Sequence, residues 1–215
     1  MDNISNRKIL KTAMFFFLMS ALVLPVFSQN ERPDAYQLYL DGKYEESISV
    51  CKAEIAEQSD VVSYYVMGWS LMALHRYNDA IKEMKVALTR HGKHRKVIHI
   101  LAEAYYNIGE YEEAETYLGD YIKIAPDGEA IGEVYYYLGE IFLRLKEYQH
   151  ADIAFTTAVY HEKTRSEWWT RLGYCRQQAK EYQYAILAYK EAIRLNPGDT
   201  SAIKGLKECE ALLGA

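Results

Sequence analysis

Helix breakers are scarce in this chain, with four prolines among 215 residues. Proline removes a backbone donor and blocks helix interiors, so their scarcity beside an apolar half of the sequence favours an all-α architecture. Cysteine is scarce too: Cys51, Cys175 and Cys209 form an odd set without a CxxC pair, which speaks against zinc or redox chemistry and leaves packing as their use. No glycine-rich phosphate loop, GxSxG elbow or HExxH pair occurs, and the paired acids of EYEEAE and KYEESI read as turn and helix-start residues. The sequence therefore gives no support for an enzyme, and it calls for no cofactor. Positive charge is in deficit, at a net −5, so nucleic acid is excluded as an expected partner.

The first residues differ from the rest. Arg7, Lys8 and Lys11 precede an uncharged run from Thr12 to Gln29, and Val26 and Ser28 stand at the minus-three and minus-one places of a small-residue cleavage site. This pattern is that of a secretory signal, residues 1–28, cut after Ser28. The competing reading is an uncleaved anchor, since the uncharged run approaches the roughly 20 residues that span a bilayer, although Pro25 opposes it. Cleavage removes three basic groups and one acidic group from a net charge of −5, leaving −7. The expected location is outside the cytoplasm, a periplasm above all, with no stable membrane insertion once the segment is cut.

What the chain has in abundance is tyrosine, 20 copies. Tyr44, Tyr77, Tyr111, Tyr148 and Tyr182 recur at intervals of 33, 34, 37 and 34, each followed three places later by Ser47, Ala80, Ala114, Ala151 or Ala185. A period near 34 marks stacked helical hairpins, none of which buries its apolar face without a neighbour. Laid over one another, the segments resemble tetratricopeptide repeats. Residues 166–199 match best, with Trp169, Leu172, Gly173, Ala185, Tyr189, Ala192 and Pro197 in the family's places and Arg176 where it has tyrosine. Residues 61–94 offer Tyr64, Met67, Gly68, Leu71, Ala80, Met84 and Ala87; residues 95–128 offer Ile98, Leu101, Ala102, Tyr105 and Ala114, then Tyr121 where a small residue is expected. Residues 129–165 form a repeat with a three-residue insert, Glu129 to Ile131, and residues 29–60 an incomplete first repeat beginning near Pro33. Residues 200–215 supply a capping helix. The resemblance implies a right-handed α-solenoid of about five helix-turn-helix repeats plus this cap, with a change of stacking at the Tyr121 joint. Cys175 and Cys209 then fall on successive repeats, about 8–10 Å apart and beyond disulfide reach.

Small residues at places 8 and 20 of each repeat (Gly68 with Ala80, Gly139 with Ala151, Gly173 with Ala185) are expected to let the two helices touch. In the family, places 2, 5, 6, 9, 12 and 13 of each first helix line a concave groove. That register gives Tyr36 and Tyr39; Val62, Tyr65, Val66, Trp69 and Met72; Lys96, His99, Ile100, Glu103, Tyr106 and Asn107; Tyr136, Tyr137, Glu140, Leu143 and Arg144; and Arg171, Tyr174, Gln177 and Gln178. Seven of these are tyrosines, rings with a polar tip that suit binding hot spots. The apolar second repeat, around Trp69, is the expected anchor. His91, His94 and His99 lie in the basic stretch HGKHRKVIH, which reads as a solvated turn rather than a metal site. The expected function is an exported, non-catalytic scaffold for a protein or peptide partner. Alternatives are a self-associating part of an envelope assembly and a carrier of an apolar small molecule or lipid.

Overall fold

The computed structural model describes residues 34–214. Eleven helices follow one another there, joined by turns, and no strand occurs among the described residues. In chain order they are α1 (Ala35–Leu40), α2 (Tyr44–Glu57), α3 (Val61–Ala73), α4 (Tyr77–His91), α5 (Arg95–Ile108), α6 (Tyr111–Ile124), α7 (Ile131–Arg144), α8 (Tyr148–His161), α9 (Ser166–Gln178), α10 (Tyr182–Leu195) and α11 (Thr200–Leu213). They pair as five antiparallel hairpins and a last single helix, an α-solenoid. The signal segment of the sequence reading lies outside the described residues. None of the described helices is long and apolar enough to cross a membrane.

Each recurrent tyrosine is the first residue of a second helix. Two places before it stands a residue with positive φ: Gly42 (75°), His75 (56°), Gly109 (87°), Lys146 (61°) and Lys180 (64°). One left-handed residue per turn reverses the chain, a conformation that glycine adopts freely and other residues only with strain. Several first helices are started by aspartate: the Asp34 carboxylate accepts from Tyr36 N at 2.8 Å, Asp60 from Val62 N at 3.2 Å and Asp199 from Ala202 N at 3.0 Å. These caps satisfy amides that a helix start leaves unpaired. The first helix therefore begins at Ala35, just after Pro33.

Ala80, Ala114, Ala151 and Ala185 are fully buried. The glycines at place 8 face a different neighbour from the one expected, because the nearest atoms belong to the large residue at place 24. A Cβ added at Gly139 would lie 2.7 Å from two ring carbons of Phe155, and one at Gly173 2.7 Å from two of Tyr189. Gly68 meets the flexible end of Met84 and the tip of Ile100 at 3.0 Å. Glycine here makes room for a ring lying flat on the opposing backbone, while alanine at place 20 fills the remaining gap.

The insert is closed by the residue that departed from the pattern. Tyr121 is 1% exposed and its hydroxyl accepts from Ala130 N at 3.3 Å. Gly128 lies directly against that ring, where a side chain would collide with the hydroxyl. Packing of α7 on α6 is less extensive than that of any other first helix on the second helix before it. The three cysteines are free and buried, and burial pushes the thiols of Cys51 and Cys175 up to about 12.

Candidate functional site

First helices pack directly on one another, α1 on α3, α3 on α5, α5 on α7 and α9 on α11. Between α7 and α9 the link is made by side chains instead, Tyr136 on Trp168 and Arg171 on Glu140, and the outward-turned side chains of the first helices share one inner face. At its start lies an aromatic cluster. Tyr65 and Trp69 are 4.9 Å apart between ring centroids, Trp69 is 5.7 Å from Tyr39 and 6.2 Å from Tyr36, and Tyr36 stacks on Tyr39 at 6.2 Å. The Lys96 ammonium sits 4.8 Å from the ring centres of both Tyr65 and Trp69, a cation held over two electron-rich faces. Tyr36 and Val62 remain exposed, while Tyr39, Tyr65, Trp69 and Met72 are half-buried. Val66 is not available to a ligand: at 2% exposure it belongs to the core.

The middle of the face is aromatic and acidic. Tyr106 and Tyr137 lie 4.9 Å apart, and Tyr136 stacks on Trp168 at 5.2 Å with planes 14° from parallel. Trp168 covers Gly132 and is 3% exposed; its own repeat pattern marks only its neighbour Trp169, so it was missed in the sequence. Tyr137 donates to the carboxylate of Glu103, and burial raises the pKa of both. His99 has its Nε2 buried without a hydrogen-bond partner, 3.6 Å from Glu133 and beside the Tyr121 ring. Burial lowers its pKa, against the opposing pull of Glu103 and Glu129. Burial likewise raises Glu133, with Arg165 opposing.

This corrects the reading of HGKHRKVIH as a solvated turn. His91 and Lys93 are exposed and held to Ser59 (3.0 Å) and Asp120 (2.7 Å). His94, in contrast, stacks flat on Tyr65 with its Nδ1 buried, and His99 is one helical turn inside α5. Among the described residues no group of three or more His, Cys, Asp or Glu could hold a metal ion.

The last part of the face is cationic. Glu140, expected at the surface, is 5% exposed and lies behind it, held by two hydrogen bonds from the Arg171 guanidinium, the Nη2 bond at 2.8 Å. Such a fork is the favoured geometry for arginine and a carboxylate. Arg144 is exposed; its guanidinium lies 5.8 Å from the Tyr106 ring centre and 5.3 Å from that of Tyr111, with Nη2 3.5 Å from the Tyr106 hydroxyl. Asn107 and Gln178 are exposed beside these, and Tyr174 stands 41% exposed with Arg171 5.4 Å from its ring centre. Two clefts flank Tyr174. One of about 370 Å³ is lined by Leu143, Arg144, Lys146, Tyr148, Arg171, Tyr174 and Gln178; the other, about 310 Å³, includes Gln177, Ser201, Lys204 and Glu208. Lys146 and Lys204, on a turn and on the cap, fell outside the first-helix register of the sequence reading.

Sequence profiles described as tetratricopeptide repeat match residues 71–135 and 166–199. The chain is 25% identical over 173 residues to TPR repeat-containing protein MJ1428 of Methanocaldococcus jannaschii, covering 75% of this chain and 28% of that one. Among solved structures, a chain of the APC/C hetero-tetramer Cut9-Hcn1 superposes with a TM-score of 0.70 at 16% identity over 81% of this chain and 34% of that chain. YrrB, described as a TPR protein with an unusual peptide-binding site, gives 0.66 at 16% identity over 80% and 88%. This chain thus spans about a third or less of MJ1428 and of the Cut9-Hcn1 chain. The solved structures share its fold.

Proposed function

We propose that this tetratricopeptide-repeat chain is a non-catalytic scaffold that holds a peptide segment of a partner protein along its inner face. The observation that carries the reading is two groups of packed, partly exposed rings on the first helices, Tyr36, Tyr39, Tyr65 and Trp69 in one and Tyr106, Tyr136 and Tyr137 in the other, with Tyr174 exposed farther along the same face. Rings already packed against each other lose little entropy on binding and offer broad contact area, the features of an interaction hot spot. Solenoids present such faces because each repeat adds one helix to the same side. The basic and apolar pattern of residues 1–28 makes this an exported scaffold.

Selection of displayed peptides on the purified chain tests the proposal. Tyr36→Ser and Tyr174→Ser should each weaken a selected peptide roughly tenfold, and Tyr160→Ser, on the outer side and 71% exposed, should leave it unchanged. Loss in the outer variant, or none in the inner ones, would overturn it.

A second reading has its own observation. Ile153 and Leu187 occupy the same place in successive second helices and are 64% and 62% exposed, with Tyr184 nearby in α10 at 59%. An apolar outer stripe of this kind favours contact between copies of the chain. Light scattering over a concentration series should then show association that Leu187→Glu removes; a concentration-independent monomer would end this reading.

A further inference from the structure

The aromatic cluster at the start of the inner face already holds a positive charge. The Lys96 ammonium lies 4.8 Å from the ring centres of both Tyr65 and Trp69, on a side chain 28% exposed and with Glu129 3.8 Å away. Negative charge prevails around these rings. Burial raises the Tyr65 hydroxyl first, and the carboxylates of Asp60 and Glu129 raise it further; at Tyr39 burial again comes first, and Glu103 is the carboxylate that adds to it. Tyr36, packed on Trp69, is also a wall of a cleft of about 450 Å³ whose lining carries Asp34, Glu54, Glu57 and Asp60 and, among the described residues, no Lys, Arg or His. We infer that the rings of Tyr36, Tyr39, Tyr65 and Trp69 form a cation subsite that takes the guanidinium of an arginine in the bound peptide, and that Lys96 is the internal cation it displaces. The inference rests on the peptide-binding reading above and adds to it the charge of the partner.

A ring face attracts a cation through its quadrupole, and Lys96 marks a point where two such faces act on one charge. A partly exposed ammonium is strongly hydrated, so its contact with the rings is weak and readily exchanged. A guanidinium is planar and less hydrated and stacks flat on a ring, so it gains more from the same place. Lys96 keeps a partner when displaced, because Glu129 stands at the edge of the cluster. The carboxylates of the neighbouring cleft are oriented before any ligand arrives: Asp34 and Asp60 accept from the Tyr36 and Val62 amides, and Glu54 accepts from the Ser63 hydroxyl at 2.6 Å. Those three donors are neutral, so each of the carboxylates keeps its charge. His94, stacked on Tyr65, adds no compensating cation at neutral pH, because burial, with Arg95 and Lys96 beside it, holds it below its ordinary value of 6.5. An arginine set on Trp69 therefore meets ring faces along its plane and a negative field around its edge, and the net charge of −5 draws a basic segment to the chain.

The experiment uses the whole chain and a selected peptide remade with Arg, Lys, Gln or Glu at each of its places in turn. Wild type should prefer Arg to Gln by roughly tenfold at one place, the scale of a partly desolvated cation over a ring. Tyr65→Leu keeps an apolar side chain and should abolish that preference. Lys96→Gln should raise affinity for the Arg peptide roughly two- to fivefold and leave the Gln peptide unchanged; a merely structural lysine would give no such gain. Lys93→Gln removes the same charge from a side chain held to Asp120, and should change neither. Binding with no preference for Arg, or no gain in Lys96→Gln, would overturn the subsite and leave the groove standing. Preference for Lys over Arg would overturn the choice of a guanidinium. If no peptide binds, the groove reading falls, and acetyl-arginine methylamide decides the subsite alone. A saturable shift of the Trp69 indole N–H resonance, larger in Lys96→Gln and absent with the uncharged citrulline analogue, would support it. An unmoved resonance, or an equal shift with citrulline, would overturn it.

Discussion

Two glycines in helix interiors offer the same substitution with opposite expected signs. Gly119 lies in α6 with no atom close to where a Cβ would stand. Gly119→Ala should therefore stabilise the chain by up to about 1 kcal/mol, the helix-propensity difference. Gly139→Ala gains the same propensity but sets its methyl 2.7 Å from two ring carbons of Phe155, a side chain with no exposed surface and with Tyr136 5.9 Å away. Phe155 has no open direction in which to retreat. Overpacking of this kind costs about 1–3 kcal/mol, and a rigid, enclosed ring belongs in the upper half of that range. The net effect is a loss of about 1–2 kcal/mol, so the two variants should differ by about 2–3 kcal/mol. For a chain of this length that corresponds to about 4–12 °C between their melting temperatures. Urea titration followed by circular dichroism measures the difference directly. Phe155→Leu should cost less in the Gly139→Ala background than in wild type, because the two changes share one space. Equal stabilisation by both alanines would show that α7 and α8 do not meet through this glycine, and the packing scheme would fail.

Arg171→Leu should destabilise by about 2–3 kcal/mol, below the full cost of breaking a buried pair because the arginine side chain is one-third exposed, whereas Glu140→Leu with Arg171→Met should fold nearly as well as wild type. Equal loss in the single and double variants would contradict this. Burial holds His99 below its ordinary value of 6.5, so the unfolded chain takes up a proton that the folded chain refuses. The stability His99 contributes is present above that value and lost as pH falls; Glu103 and Glu133, raised by burial, act in the opposite sense, losing their contribution as pH rises. Between about pH 7.5 and 5.5 wild type should lose stability relative to His99→Gln, and parallel urea midpoints would refute it. Finally, Cys51 and Cys175, with thiols near 12, and the buried Cys209 should resist a thiol reagent in the folded chain and react once it is unfolded. Rapid labelling of the native protein would count against the buried placement.

The hairpin architecture was readable from sequence because its signals are local. A tyrosine and a small residue three places on act within one turn of chain, and each second helix begins at its tyrosine; the aspartates that start several first helices are signals equally local, which the sequence reading did not use. The inner face was less legible, because exposure depends on the adjacent repeat. Val62 and Val66 sit one turn apart on α3, yet one is 44% and the other 2% exposed. Glu140 reads as a surface charge until Arg171, 31 residues away, turns out to cover it. His99 reads as part of a basic turn, and only the meeting of α5 with Tyr121 and Glu133 encloses it. Tyr121 looked like a departure from the pattern, but Gly128 supplies the space its ring needs.

The left-handed turn residues bear on how this sequence could be altered. Gly42 and Gly109 occupy that slot without strain, whereas His75, Lys146 and Lys180 hold it at a cost of order 1 kcal/mol each. In a solenoid each repeat answers mainly to its neighbours, so these three turns are separate, nearly additive opportunities for stabilisation by glycine or asparagine. His75 and Lys180 could be exchanged without touching the cleft beside Tyr174, whereas Lys146 lines it, so the same exchange there would gain stability and also remove a positive charge from that cleft.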